Sequence, residues 1–233
     1  MIYYLPSCRV KARHKEASLI IQEYLKNNSV EILGCCKMSQ EILKKGDTVI
    51  TNCTSCAIIT DECSPTVKEI SLYEYLLEEK NFKWPNFNGE KITVQDCLRT
   101  IHKPQLQLAV RKCLEKMNII PIELKENFSI TKFDGLFSYN KISDVNKHFA
   151  PYYFSKFEKN YVKVVDKKVA EEYMKEWCKH YTTERIVAYC NSCLEGINIG
   201  GANGVHLVDL IADTTELQNH DYKIDSDLIK TNI

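Results

Sequence analysis

The stretch Thr48-Val49-Ile50-Thr51-Asn52-Cys53-Thr54-Ser55-Cys56 has a near copy at Arg185-Ile186-Val187-Ala188-Tyr189-Cys190-Asn191-Ser192-Cys193. Each opens with a β-branched apolar run, the pattern of a buried strand. Each then ends in Cys-x-Ser-Cys. Upstream of the first copy lie an adjacent pair, Cys35-Cys36, and Cys8, which follows another short apolar run. Thiols gathered at strand ends are what a soft metal ion or an iron–sulfur cluster requires. The repeat therefore predicts a duplicated metal-binding unit whose second copy is less complete than its first.

Working outward, Ile2–Leu5 reads as a short strand with Cys8 in the loop after it. Ala17, Leu19, Ile20, Ile21, Tyr24 and Leu25 give Lys15–Asn27 a helical pattern. Val30–Leu33 reads as the strand that delivers Cys35-Cys36. Ser39 is placed to cap a short helix through Lys45, stopped by Gly46. After strand Thr48–Thr51, another around Val67–Ile70 leads into a helix near Leu72–Glu79, with Ser71 as its cap. The pattern then restarts. Lys91–Val94 is a strand ending at Asp96-Cys97, Pro104 opens a helix to about Met117, and Asn118–Leu124 is the next strand. A helix over Glu171–Lys179, a strand at Ile186–Tyr189, and Val205–Val208 leading into a helix near Asp209–Asp213 complete it.

Such alternation favours parallel sheets flanked by helices, with ligands beyond the carboxyl ends of the strands. The expected fold is α/β, two tandem Rossmann-like units with mainly parallel sheets. The expected boundaries are a first unit at 1–80, a linker at 81–90 rich in Asn, Pro and Gly, a second unit at 91–213, and a polar tail at 214–233. Cys97 and Cys190 lie about twice as far apart as Cys8 and Cys53. The excess falls near 136–165, where Phe137, Tyr139, Phe149, Tyr152–Phe154, Phe157 and Tyr161 are mixed with lysines. Aromatic and basic residues together can stack on single-stranded nucleic acid. A helical cap that buries the rings and leaves the lysines in water is the expected reading.

Composition narrows the function. With 233 residues and 44% apolar side chains the chain can build an ordinary core. A formal net charge of zero gives no global attraction for nucleic acid or an anionic membrane. Neither a long apolar run nor a basic n-region after Met1 is present, so a membrane span and a secretory signal are not expected, and a cytoplasmic location is. There the eleven cysteines stay reduced, and their odd number cannot pair completely, so metal ligation is expected over disulfides. Dinucleotide binding is disfavoured, because Gly200-Gly201-Ala202-Asn203-Gly204 lacks the required spacing and precedes a strand.

A strand-end cysteine, an adjacent Cys-Cys pair and a terminal Cys-x-x-Cys resemble the cysteine-rich CCG domain of the heterodisulfide reductase B type and related proteins, where it usually occurs twice. The resemblance spans about residues 1–213. It implies that Cys8, Cys35, Cys36, Cys53 and Cys56 hold a [4Fe-4S] cluster, in that family a non-cubane one. Lys37 stands where a glycine usually follows the pair, and the segment from Cys36 to Cys53 is shorter than usual. In the second half Cys97, Cys190 and Cys193 match, while the paired cysteines are missing. Phe133-Asp134-Gly135 stands near their place, and Gln95-Asp96-Cys97 departs from the His-Asp-Pro-Cys often found there.

The resemblance implies an iron–sulfur oxidoreductase subunit. It would take electrons from a ferredoxin-like donor subunit and pass them to a thiol, disulfide or small organic acceptor. For the second set the alternatives are another cluster, with Asp134 or His102 as a non-cysteine ligand or with an open iron for a substrate thiol, zinc, or the residue of a lost site. The alternative function is a zinc-binding or thiol redox-sensing module without turnover. Cys113 and Cys178 read as core thiols, Cys63 as a loop cysteine, and His206 as a hydrogen-bonded core histidine on a strand.

Overall fold

The computed structural model describes residues 1–213, so the tail expected at 214–233 lies outside the described residues. Among the described residues there are eight strands. β1 (Ile2–Leu5), β2 (Glu31–Ile32), β3 (Thr48–Thr51) and β4 (Lys68–Ser71) form one sheet in the order β2-β1-β3-β4. β5 (Glu90–Gln95), β6 (Ile119–Glu123), β7 (Arg185–Ala188) and β8 (Asn203–His206) form another in the order β6-β5-β7-β8. The same order appears twice, and every pairing is parallel. The register aligns Leu5, Thr51 and Ser71 in one sheet and Gln95, Ala188 and His206 in the other. The Cys-x-Ser-Cys segments therefore leave equivalent strands at equivalent edges.

Parallel strands need crossover connections, which here are helical except between β2 and β3, where residues 33–47 form turns. The first half has α1 (Cys8–Arg13), α2 (Lys15–Asn27), α3 (Thr54–Cys63) and α4 (Leu72–Glu78). The second has α5 (Pro104–Lys116), α6 (Asp144–Phe149), α7 (Pro151–Tyr161), α8 (Lys167–Cys178), α9 (Asn191–Ile199) and α10 (Leu207–Ile211). Pro104 opens α5, where its missing N–H costs nothing. At α4 the Ser71 hydroxyl accepts the Glu74 N–H, and the Glu74 carboxylate accepts the Ser71 N–H, a complete capping box.

Several sequence expectations are corrected. Cys8 begins α1 and is not in a loop. Residues 39–45 form turns and no helix. The Ser39 hydroxyl and the Gln40 amide donate instead to the carbonyls of Cys35 and Cys36, which pins the paired-cysteine loop. Cys53-x-x-Cys56 lies on the first turn of α3. The last strand ends at His206, and α10 starts at once, with the His206 ring accepting the Val208 N–H.

The stretch at 136–165 folds mostly into α6 and α7. Phe154 and Phe157 are buried while Lys156 and Lys159 face solvent. This cap packs on α3 of the first half, where the Glu62 carboxylate accepts the N–H groups of Tyr152 and Tyr153. Phe154 and Phe157 share a small core with Leu5, Cys36, Cys56 and Ile59. The larger core is continuous across both halves, from Tyr73 and Leu76 to Val110 and Leu114. α4 packs on α5 and α2 on α10. Since α2 and α5 follow the first strand of their sheets and α4 and α10 the last, the halves bury reciprocal faces, as a two-fold interface would.

Candidate metal centres

In the second half, three strand ends deliver four ligand atoms to one place. Cys97 follows β5, Asp134 lies on the long connection after β6, and Cys190 and Cys193 open α9 after β7. The three sulfurs and a carboxylate oxygen of Asp134 all lie within 4.8 Å of one another, and all four residues are buried. The Cys97 thiol donates to Asp134 Oδ1 at 3.0 Å. Of the two non-cysteine ligands expected as alternatives, Asp134 is brought in, and His102 is exposed.

The local chain explains why an aspartate can reach this point. Gly135 has φ +54°, and a Cβ there would stand 1.8 Å from the Ser192 carbonyl oxygen. Only a glycine lets the Asp134 segment lie so close to the start of α9. Gly196 completes the fit, since a Cβ on it would meet Gly135 Cα at 2.8 Å. The Ser192 hydroxyl donates to the Asp134 carbonyl at 3.0 Å and accepts the Phe137 N–H at 3.0 Å. The serine of the second Cys-x-Ser-Cys thus fastens the aspartate loop. Asp96 is no ligand. Its carboxylate takes Arg111, the Tyr189 hydroxyl and the Phe128 N–H, and so holds the loop that carries Cys97.

Arg99 is the counter-charge, and no sequence motif marks it. Its Nε donates to both oxygens of Asp134 at 2.9 Å, and one terminal nitrogen donates to Cys190 Sγ at 3.1 Å. The other reaches Ser55 Oγ at 2.9 Å, so the serine of the first Cys-x-Ser-Cys also serves the second site. The guanidinium lies 3.8 Å from the Phe137 ring centre. Burial opposes its charge, but Asp134 and the neighbouring sulfurs prevail and hold its pKa well above the ordinary value. Burial pushes Asp134 up to about 7 against the pull of Arg99. The hydrogen bond from the Cys193 thiol, with the charge of Arg99 beside it, holds Cys190 well below the usual thiol range. Burial raises Cys97 and Cys193. A metal ion bound here would displace those protons.

Among the five first-half cysteines, Cys35 acts on the protonation of Cys8, and Cys56 on that of Cys36 and Cys53. The compact ligand group found among the described residues is the second-half one. Cys36 and Cys56 are buried, Cys35 and Cys53 half-buried, and Cys8 exposed. Cys53 is the N-cap of α3. Its thiol is lowered to about 6, chiefly by the hydrogen bond from Cys56, so it is largely a thiolate at neutral pH. The Cys56 hydrogen bond also lowers Cys36, while burial raises Cys8 to about 11. The two sets meet at the seam between the halves. Cys190 and Arg99 act electrostatically on Cys53, and the Thr54 hydroxyl lies 3.9 Å from Cys190 Sγ.

The remaining cysteines lie elsewhere. Cys113 is buried within α5 against the Tyr73 carbonyl, and Cys178 at the end of α8 donates to the Ile197 carbonyl. Cys63 ends α3, a helical position where a loop was expected, and donates to the Phe149 carbonyl. His206 is fully buried, with its ring centre 4.6 Å from that of His14.

Fold and site together define a parallel α/β protein with a duplicated sheet and a buried three-cysteine, one-aspartate group able to hold a metal. No protein-family model matches the chain, and no curated protein matches it either. No helix among the described residues is long and apolar enough to cross a membrane.

Proposed function

We propose that the chain is an iron–sulfur oxidoreductase subunit of the heterodisulfide reductase B type, with two unequal metal centres. The iron–sulfur reading is supported by the five-cysteine pattern Cys8, Cys35, Cys36, Cys53 and Cys56, and the compactness of the second set, 4.8 Å or less between ligand atoms, supports a separate second centre. Around a single tetrahedral ion with metal–sulfur bonds of about 2.3 Å, ligand atoms stand roughly 3.8 Å apart. A cubane cluster places its own irons and sulfides between its ligands and spreads them further. The second set therefore suits one ion, and zinc matches its donors.

The first set has a different character. Five cysteines in the pattern exceed the four ligands that a tetrahedral ion uses, and their softness suits iron–sulfur chemistry. Such a cluster, when bound, supplies one-electron transfer. The chain's own residues supply the setting. Cys53 offers a ready thiolate, the α6–α7 cap keeps water from the Cys36–Cys56 side, and Arg99 balances charge where the sets meet. A ferredoxin-like carrier would bring electrons, and a thiol, disulfide or small organic molecule would accept them. The second reading, a zinc-binding or redox-sensing module without turnover, is favoured by the same compactness if the first set stays metal-free.

Anaerobic purification followed by iron, acid-labile sulfide and zinc assays separates the two. The proposal expects about four iron, about four sulfide and about one zinc per chain. Zinc without sulfide would establish the second reading.

A further inference from the structure

A cavity of about 400 Å³ opens between α8 and the loop that carries Asp134, and its lining includes none of the cysteines. Its size falls within the roughly 300–1,000 Å³ of small-molecule sites. Two ring pairs form its walls. Phe133 stacks on Trp177 with ring centres 5.1 Å apart, and Tyr139 meets Tyr173 at 5.2 Å. Met174 in the lining is buried, while Tyr173 and Lys132 are exposed and mark the mouth. Such walls suit a flat, largely apolar body.

One polar group of the lining is left without a partner. Ser138 is 8% exposed, and its hydroxyl makes no hydrogen bond among the described residues. A buried hydroxyl in this state carries a desolvation cost, which a ligand atom bonded to it would offset. The charges then set the sign of the ligand. Lys132 is paired only with Glu126, in an exposed ion pair of the kind that contributes little. Lys163 Nζ lies 5.7 Å from the Tyr173 ring centre, and no salt bridge engages it among the described residues. Asp134 is the one acidic residue of the lining, and Arg99 already takes both its oxygens. Aromatic walls alone would also suit a cation. Here a cation would meet two ammonium groups and no free carboxylate.

We propose that this cavity binds a small aromatic carboxylate whose ring carries a hydrogen-bonding substituent. The ring would lie between the two ring pairs, the carboxylate would meet Lys132 and Lys163 at the mouth, and the substituent would bond the Ser138 hydroxyl. Binding is non-covalent and does not depend on which metal the chain holds. Asp134 belongs both to this lining and to the metal-ligand group, so the site borders the second centre without using its sulfurs.

The test is calorimetric titration of the full chain, purified anaerobically, with 4-hydroxybenzoate as the probe. A dissociation constant of about 1 mM or tighter is expected. Benzoate, which lacks the hydroxyl, should bind about fivefold more weakly, and Ser138→Ala should erase that preference. The cation 4-hydroxybenzylamine should bind about tenfold or more weakly than 4-hydroxybenzoate. Lys132→Gln/Lys163→Gln, at exposed positions, should weaken 4-hydroxybenzoate about tenfold. Lys15→Gln/Lys26→Gln, on exposed positions of α2, should bind as the parent does. The double lysine variant decides the matter should Ser138→Ala fail to fold. The proposal is overturned by no binding up to about 20 mM, by equal affinity for the cation, or by equal affinity for acetate, which would leave an anion site only. A hydroxyl preference that survives Ser138→Ala, or parental affinity in Lys132→Gln/Lys163→Gln, would also overturn it. Iron, sulfide and zinc contents of the same samples report separately on the metal centres.

Discussion

Arg99 and Asp134 show how much of the second site rests on single side chains. Asp134 is readable in the sequence because a polar residue stands where a cysteine pair is missing after a strand. Arg99 is not, because its partners lie 35, 44 and 91 residues away in sequence and no spacing rule connects them. Groups that orient metal ligands typically change affinity by about 10–100-fold when removed, so Arg99→Gln should weaken zinc binding by about that factor in competition with a chelator. An unchanged affinity would mean that the guanidinium merely fills space. Gly135→Ala tests the close approach. A Cβ so near Ser192 forces the loop away, with an expected loss of about 2–4 kcal/mol in urea unfolding together with loss of zinc.

The legible elements are those whose signals are local. β3 and β7 announce themselves by β-branched residues, and Ser71 with Glu74 three residues on marks the start of α4. Ser71→Ala should therefore cost about 1 kcal/mol in thermal or urea unfolding, without change in metal content. The start of α3 is not legible, because its N-cap is a cysteine, a residue outside the usual capping set. The turns at 39–45 mimic a capped helix, because Ser39 stands in a capping position yet serves the Cys35 carbonyl. His206 caps α10, and burial first and then the neighbouring His14 hold its pKa well below 6.5. Below pH 6.5 the unfolded chain takes up a proton at this position that the folded chain refuses. Stability is therefore intact above that pH and falls beneath it, by at most about 1.4 kcal/mol per unit from this group. Urea unfolding at pH 7.5 and 5.5 should show a smaller acid loss in His206→Gln than in the parent. Parallel losses would exclude His206 as the cause.

At the scale of the molecule, duplication builds a near-symmetric body and then breaks its symmetry chemically. The strand order repeats and the helices pack reciprocally, as the repeated Cys-x-Ser-Cys segments foretell. The seam does not follow from sequence. It depends on long-range pairs such as Arg99 with Ser55, Lys103 with Glu69, and His14 with Asp209, which no periodicity encodes. The two centres proposed at this seam use different donors and should be separable by mutation. The most direct measurement is metal analysis of Cys190→Ser beside the parent, both purified anaerobically. The variant is predicted to lose its zinc and keep its iron and acid-labile sulfide. Loss of iron and sulfide with zinc retained, or a parent chain that carries no metal at all, would contradict two separate centres.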